Sequence, residues 1–148
     1  KLKQEPEWID ISEPSYSNDA SHEQTFTLYD RQLAAGAEGF QIKFNDFEVE
    51  NHSSEGRCYD KVSFVPLETI DGSDVNEIVD AYYADGGYNV NNFWNVDNCG
   101  ELGSTIGFPI SQGSKYRLAN VKSFKVVFTT DSSKTERGYN FDLYWYIS

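Results

Sequence analysis

Apolar residues alternate with polar ones at Phe40, Ile42 and Phe44, and again at Val62 and Phe64. A period of two marks half-buried β-strands, so the stretch from Phe40 to Val65 reads as two strands on either side of a polar loop. Between Phe44 and Phe47 the alternation slips by one residue, which predicts a bulge or corner near Asn45 and Asp46. The same pattern predicts strands at 25–30, 105–108, 123–129 and 138–147. Phe124, Val126 and Phe128 face one way. In the last strand Tyr139, Phe141, Leu143, Trp145 and Ile147 share a face while Tyr144 and Tyr146 lie on the other, so it is either central in a sandwich or covered by the N-terminal arm. Residues 33–39 are small and turn-rich, and Pro66 ends pairing on one side because it has no amide hydrogen to give. No repeat or long amphipathic helix interrupts this. The economical fold class is all-β, an antiparallel two-sheet sandwich.

Two stretches are less regular. Residues 1–23 are polar, with Pro6 and Pro14, and read as an N-terminal arm or edge strand anchored by Trp8, Ile9 and Ile11. The domain proper is expected over 24–148, with a long inserted loop at about 67–98. Within that loop Val75, Ile78 and Val79 suit one or two helical turns, and Gly86-Gly87 suits a tight turn or hairpin.

Composition sharpens the fold class. The 148 residues include 10 Tyr, 10 Phe and 3 Trp and no Met, which favours sheets. A net charge of −12 repels phosphate backbones and anionic membranes, so nucleic acid is excluded as an expected partner while cations and basic protein surfaces are favoured. No apolar run approaches the ~20 residues needed to cross a bilayer, and the first residues have no apolar signal core. The expectation is a soluble chain whose signal peptide, if it has one, lies outside this sequence. Cys58, at a strand start, and Cys99, before a glycine in a polar loop, could meet across one loop edge. Pairing would close a loop of roughly 40 residues, worth about 4 kcal/mol, and unpaired they would be buried thiols. Asn51-His52-Ser53 is an N-glycosylation sequon, compatible with a secreted glycoprotein.

The running order Phe44, Phe47, Glu50, then Cys58-Tyr59-Asp60, then Cys99-Gly100, then Phe128, Asp131, Ser133, then Gly138-Tyr139 resembles the CUB domain, an extracellular β-sandwich module. The resemblance covers about 24–148 and is poorest after Val65. It implies a CUB-like jelly roll, secretion, a Cys58–Cys99 disulfide, and one Ca²⁺ held by Glu50, Asp60, Asp131 and the backbone carbonyl of Ser133. All-oxygen ligands suit that hard ion, which would remove the mutual repulsion of the carboxylates. The resemblance further implies an interaction module, not an enzyme, whose partner is an extracellular protein offering a basic side chain to this edge. Tyr59 is expected to pack in the core or hydrogen bond a site carboxylate, on the partner-binding side of the site. Two departures stand out: the family's first cysteine pair is missing, and Lys134 occupies a position where calcium-binding members often carry Asn.

A second candidate surface is the aromatic set Tyr82, Tyr83, Tyr88, Phe93 and Trp94 among Asn and Asp residues. Aromatic faces beside amides and carboxylates suit sugar rings and protein hot spots, so carbohydrate is the alternative ligand. The plainer reading is that these rings pack down to tether the loop. A structural role in an extracellular matrix or coat is the third reading. Catalysis finds little support, because His22 and His52 sit in no nucleophile or zinc motif and 71–74 does not match EF-hand spacing.

Overall fold

The parity slip is a β-bulge. In the computed structural model, strand β3 (Gly39–Val49) pairs with the C-terminal strand Gly138–Tyr146, and the register jumps between Asn140, opposite Asp46, and Phe141, opposite Phe44. Asn45 is the extra residue; its Nδ2 donates to Asn140 Oδ1 at 2.8 Å and Asp142 Oδ1 at 3.1 Å, so the unpaired residue is held by side chains. Inward facing therefore passes from Phe40, Ile42 and Phe44 to Phe47 and Val49, all of them buried.

The structure describes residues 8–12, 21–52, 56–77, 82–83, 90, 92–131, 136 and 138–147, with backbone alone at 8–12, 52 and 82–83. The strands are β1 (Trp8–Ser12), β2 (Ser21–Thr27), β3 (Gly39–Val49), β4 (Asn51–His52), β5 (Arg57–Cys58), β6 (Lys61–Thr69), β7 (Tyr82–Tyr83), β8 (Cys99–Glu101), β9 (Ser104–Ile106), β10 (Lys115–Ala119), β11 (Val121–Thr129) and β12 (Gly138–Tyr146). One sheet runs β1-β12-β3-β10-β7, with β8 also on β3 and β9 on β8; the other runs β2-β11-β6. All named pairings are antiparallel. The fold is the expected two-sheet β-sandwich.

The core between the sheets is aromatic. Phe44 lies 5.9 to 6.2 Å, centroid to centroid, from Phe64, Phe108, Tyr116 and Phe141, mostly edge to face. The predicted face of β12 is buried at Tyr139, Phe141, Leu143 and Trp145. Tyr146 on the opposite face is also buried, beneath the Arg117 guanidinium at 4.9 Å. β12 lies between β3 and β1, so the N-terminal segment supplies an edge strand beside it.

Several boundaries differ from expectation. The strand expected at 25–30 starts earlier, at Ser21, and stops at Thr27; Asp30–Ala34 forms a short helix, α1. The amide of Tyr29 donates to the buried Gln32 Oε1 at 2.7 Å, which satisfies an otherwise orphaned donor at the helix start. β6 runs through Pro66 to Thr69, because β11 pairs with one side only; on the other side isolated bridges at Val62 and Phe64 precede the proline. The strand expected at 105–108 covers Ser104–Ile106. A 3₁₀ turn occupies Val75–Glu77, while Ile78, Val79 and Gly86-Gly87 lie outside the described residues.

Candidate metal centre

The three carboxylates arrive from chain ends that the sandwich brings together. Glu50 follows the last residue of β3, Asp60 precedes the first of β6, and Asp131 comes two residues after β11. Since β3, β6 and β11 finish or start at the same end, the connections meet there. Two backbone hydrogen bonds fix the meeting: the Asp60 amide donates to the Glu50 carbonyl at 3.1 Å, and the Asp131 amide donates to Asp60 Oδ1 at 2.8 Å. One ligand oxygen from each of Glu50, Asp60 and Asp131 then lies within 4.8 Å of the others. Asp60 is fully buried, Glu50 Oε1 is shielded from solvent, and Asp131 is half-buried.

Oxygen ligands at about 2.3–2.6 Å from a Ca²⁺ ion lie no more than about 5 Å apart across it, so a triangle of this size can surround one ion. Buried anionic oxygens this close also repel one another strongly, and a divalent cation offsets that repulsion. The cluster could therefore hold a metal ion. Ser133, the expected carbonyl ligand, and Lys134 lie outside the described residues.

A disulfide buttresses this end. Cys58 and Cys99 are bonded, with Cα atoms 5.6 Å apart, tying β5 to β8. β5 carries Cys58 two residues before Asp60 and pairs Cys58 with Asn51, the neighbour of Glu50. β8 pairs with β3 at Glu48 and Val49. Next to Cys99 stands Asn98, a residue that no motif in the sequence singles out. Its buried amide donates to the carbonyls of Val62 at 2.9 Å and Val96 at 3.0 Å, and accepts the Phe108 amide at 3.1 Å. A Cβ at Gly107, where φ is +99°, would collide with the Asn98 side chain, so glycine is needed there.

Beside the triad lies a cleft of about 330 Å³ whose lining includes Glu48, Glu50, Glu101 and Glu136, with no basic residue among the described ones. Glu48 and Glu101 are direct cross-strand partners, an arrangement in which like charges repel. Nothing in the sequence pointed to Glu101 or Glu136: the first is placed by β8 lying on β3, and the second stands two residues before Gly138, which pairs with Glu48. Asn51, the sequon residue, lines the same cleft.

The aromatic candidates divide. Phe93 is fully buried and stacks on Phe108 at 4.5 Å, so it belongs to the core and not to a partner-binding surface. Trp94 is partly buried, 6.3 Å from Phe124, and pairs along the outer side of Phe64; no acceptor among the described residues reaches its buried Nε1. These contacts fit the tethering reading. Tyr82 and Tyr83 form β7 against β10, and Tyr88 lies outside the described residues. Tyr59 is 38% exposed with the Arg57 guanidinium 5.6 Å from its ring, which corrects the expectation of core packing: the chain bends at 59–60, leaving Tyr59 outward and Asp60 buried. No helix among the described residues is long and apolar enough to cross a membrane, and the disulfide is compatible with an extracellular location. No protein-family model, curated protein or solved structure matches this chain, and the centre is defined by its own geometry.

Proposed function

We propose that this chain is a non-enzymatic, secreted interaction module of the CUB type, in which Glu50, Asp60 and Asp131 hold one Ca²⁺ ion and present an ordered acidic edge to a lysine or arginine of a partner protein. The observation that carries the reading is the convergence of these three carboxylates within 4.8 Å, Asp131 joining the neighbouring Glu50 and Asp60 across 71 residues of chain from Asp60. Asp60 is the keystone, since it is buried, its amide donates to the Glu50 carbonyl and its Oδ1 accepts the Asp131 amide. The role of a bound Ca²⁺ is charge neutralisation, which lets the three connections close on one another. The carboxylates of Glu48, Glu50 and Glu101, which line the adjacent cleft, then favour a charge-assisted hydrogen bond with a cationic side chain. Calcium is favoured over magnesium because an all-protein set of carboxylates suits the larger ion, whereas Mg²⁺ dehydrates reluctantly.

Calorimetric titration of Ca²⁺ into the EDTA-stripped protein, for the parent and Asp131→Ala, tests the proposal. Binding of one ion with a raised melting temperature is expected in the parent, and neither effect in the variant. Absence of binding at millimolar calcium would overturn it.

A further inference from the structure

Asn51 combines two properties that no part of the metal reading uses. It is the acceptor of the sequon Asn51-His52-Ser53, and it lines the acidic cleft immediately after the ligand Glu50. Its side chain is partly exposed, and β4, the strand that carries it, is only two residues long. An acceptor at this place joins a modification site to a binding surface.

We propose that Asn51 is N-glycosylated and that the glycan gates the acidic cleft, so that the modified and unmodified forms differ in their access to basic ligands. This rests on the reading of the edge as a surface for cationic side chains. In the transfer, Asn51 Nδ2 forms a bond to the anomeric carbon of a lipid-diphosphate-linked oligosaccharide supplied by the secretory pathway. The bond from that carbon to the diphosphate oxygen breaks, and the amide proton balances the departing lipid diphosphate. No oxidation or reduction occurs.

A cleft of about 330 Å³ has room for a lysine or arginine side chain but not for a branched oligosaccharide rooted in its wall. The glycan must therefore stand over the mouth, above Glu48 and Glu101. Metal ions remain small enough to pass, and the triad is held from within by the Asp60 amide on the Glu50 carbonyl and the Asp131 amide on Asp60 Oδ1. The gate acts on the partner and leaves ion binding unchanged.

The test uses the chain secreted from glycosylating cells as parent, Ser53→Ala and Asn51→Gln. Intact mass reports occupancy, hexalysine titration at low ionic strength reports access, and Ca²⁺ titration reports the metal centre. Ser53→Ala removes the sequon while leaving Asn51 in the cleft, and Asn51→Gln provides an independent unglycosylated form. The expected result is a glycosylated parent that binds hexalysine at least tenfold more weakly than both variants, with trimming to the first sugar restoring binding. An unmodified Asn51, equal hexalysine affinity in all forms, or no hexalysine binding in any form would overturn the gate. Failure of Ca²⁺ to bind Ser53→Ala would sink the metal reading alone, since occupancy and hexalysine access are read without the ion.

Discussion

The two ends of the sandwich both carry aspartates in turns, and they treat them in opposite ways. At the end where β6 finishes and β11 begins, Asp71 is answered locally: Oδ1 accepts the Ser73 amide at 2.9 Å, and the Asp71 amide donates to Asn120 Oδ1 at 3.2 Å. Asn120, in the left-handed conformation with φ of 63°, also accepts the Ile70 amide at 3.0 Å and donates its own to Glu38 at 2.8 Å. At the other end Glu50, Asp60 and Asp131 come from three connections and face one another. Acidity is therefore not what separates a site from a turn. A carboxylate settled by donors at its own turn is structural, whereas carboxylates that meet one another, as Asp131 meets Asp60 across 71 residues, could hold a cation.

The comparison breaks most sharply at the disulfide. Replacing Cys58 and Cys99 together by serine releases a cross-link spanning 41 residues, which the loop-entropy model values at about 4 kcal/mol. The melting temperature in EDTA should fall by roughly 10–15 °C. Hydrogen exchange should quicken at the Asp60 and Asp131 amides well before it does at Ser73. Equal acceleration at both ends would show that the cross-link does not act on the metal end in particular.

Next in size is Asp60→Asn, which keeps an oxygen to accept the Asp131 amide but removes the charge. At calcium 100 times above the dissociation constant the parent should gain about 2.7 kcal/mol from the ion, and the variant nothing. Melting curves with and without calcium read this directly. A variant stabilised as much as the parent would place the ion elsewhere.

Asn98→Ala follows. Loss of its amide strands the Val96 carbonyl and the Phe108 amide, while the Val62 carbonyl keeps the backbone amide of residue 98 at 3.0 Å, and the change should cost about 1–3 kcal/mol in urea unfolding. The effect should be the same with calcium or EDTA, because Asn98 supports the loops without taking part in the triad.

What the sequence disclosed follows from the range of the interaction. Alternating aromatics in β3, β11 and β12 respond to burial on one face, so those strands were legible, as was the bulge at Asn45. The triad was legible only through a motif order, because the meeting of Glu50, Asp60 and Asp131 depends on which strand ends share a side. β10 was missed, since Tyr116 and Leu118 are its only buried positions between polar neighbours and its turn into β11 rests on the left-handed Asn120. The first residues of β2 were missed because an edge strand exposes both faces there, with Phe26 its first buried residue. Phe93 looked like a surface ring because its burial depends on the parallel bridge between Phe64 and Trp94, a contact no local pattern records. The acidic cleft was illegible for the same reason, as Glu48 meets Glu101 only through the register of β8 on β3.

The smallest effect tests the quiet end. The Asp71 carboxyl is held down from its ordinary value of 3.8 to about 2, first by the Ser73 hydroxyl, then by the Ser73 amide and by Asn120. These donors favour the charged form, so the folded pKa lies below the unfolded one. The stability that Asp71 adds is thus complete above about pH 4, shrinks as pH falls between about 4 and 2, and is absent below. The residue is exposed, which keeps the contribution small and sensitive to salt. Following the Asp71 carboxyl carbon by NMR should give a midpoint near 2 in the parent. In Ser73→Ala, which removes the hydroxyl and keeps the amide, the midpoint should climb part of the way back toward 3.8, and calcium should shift it in neither protein. A calcium-dependent midpoint at Asp71 would mean that the two ends are coupled, and that the local settlement of charge at this turn is not what sets it apart from the metal end.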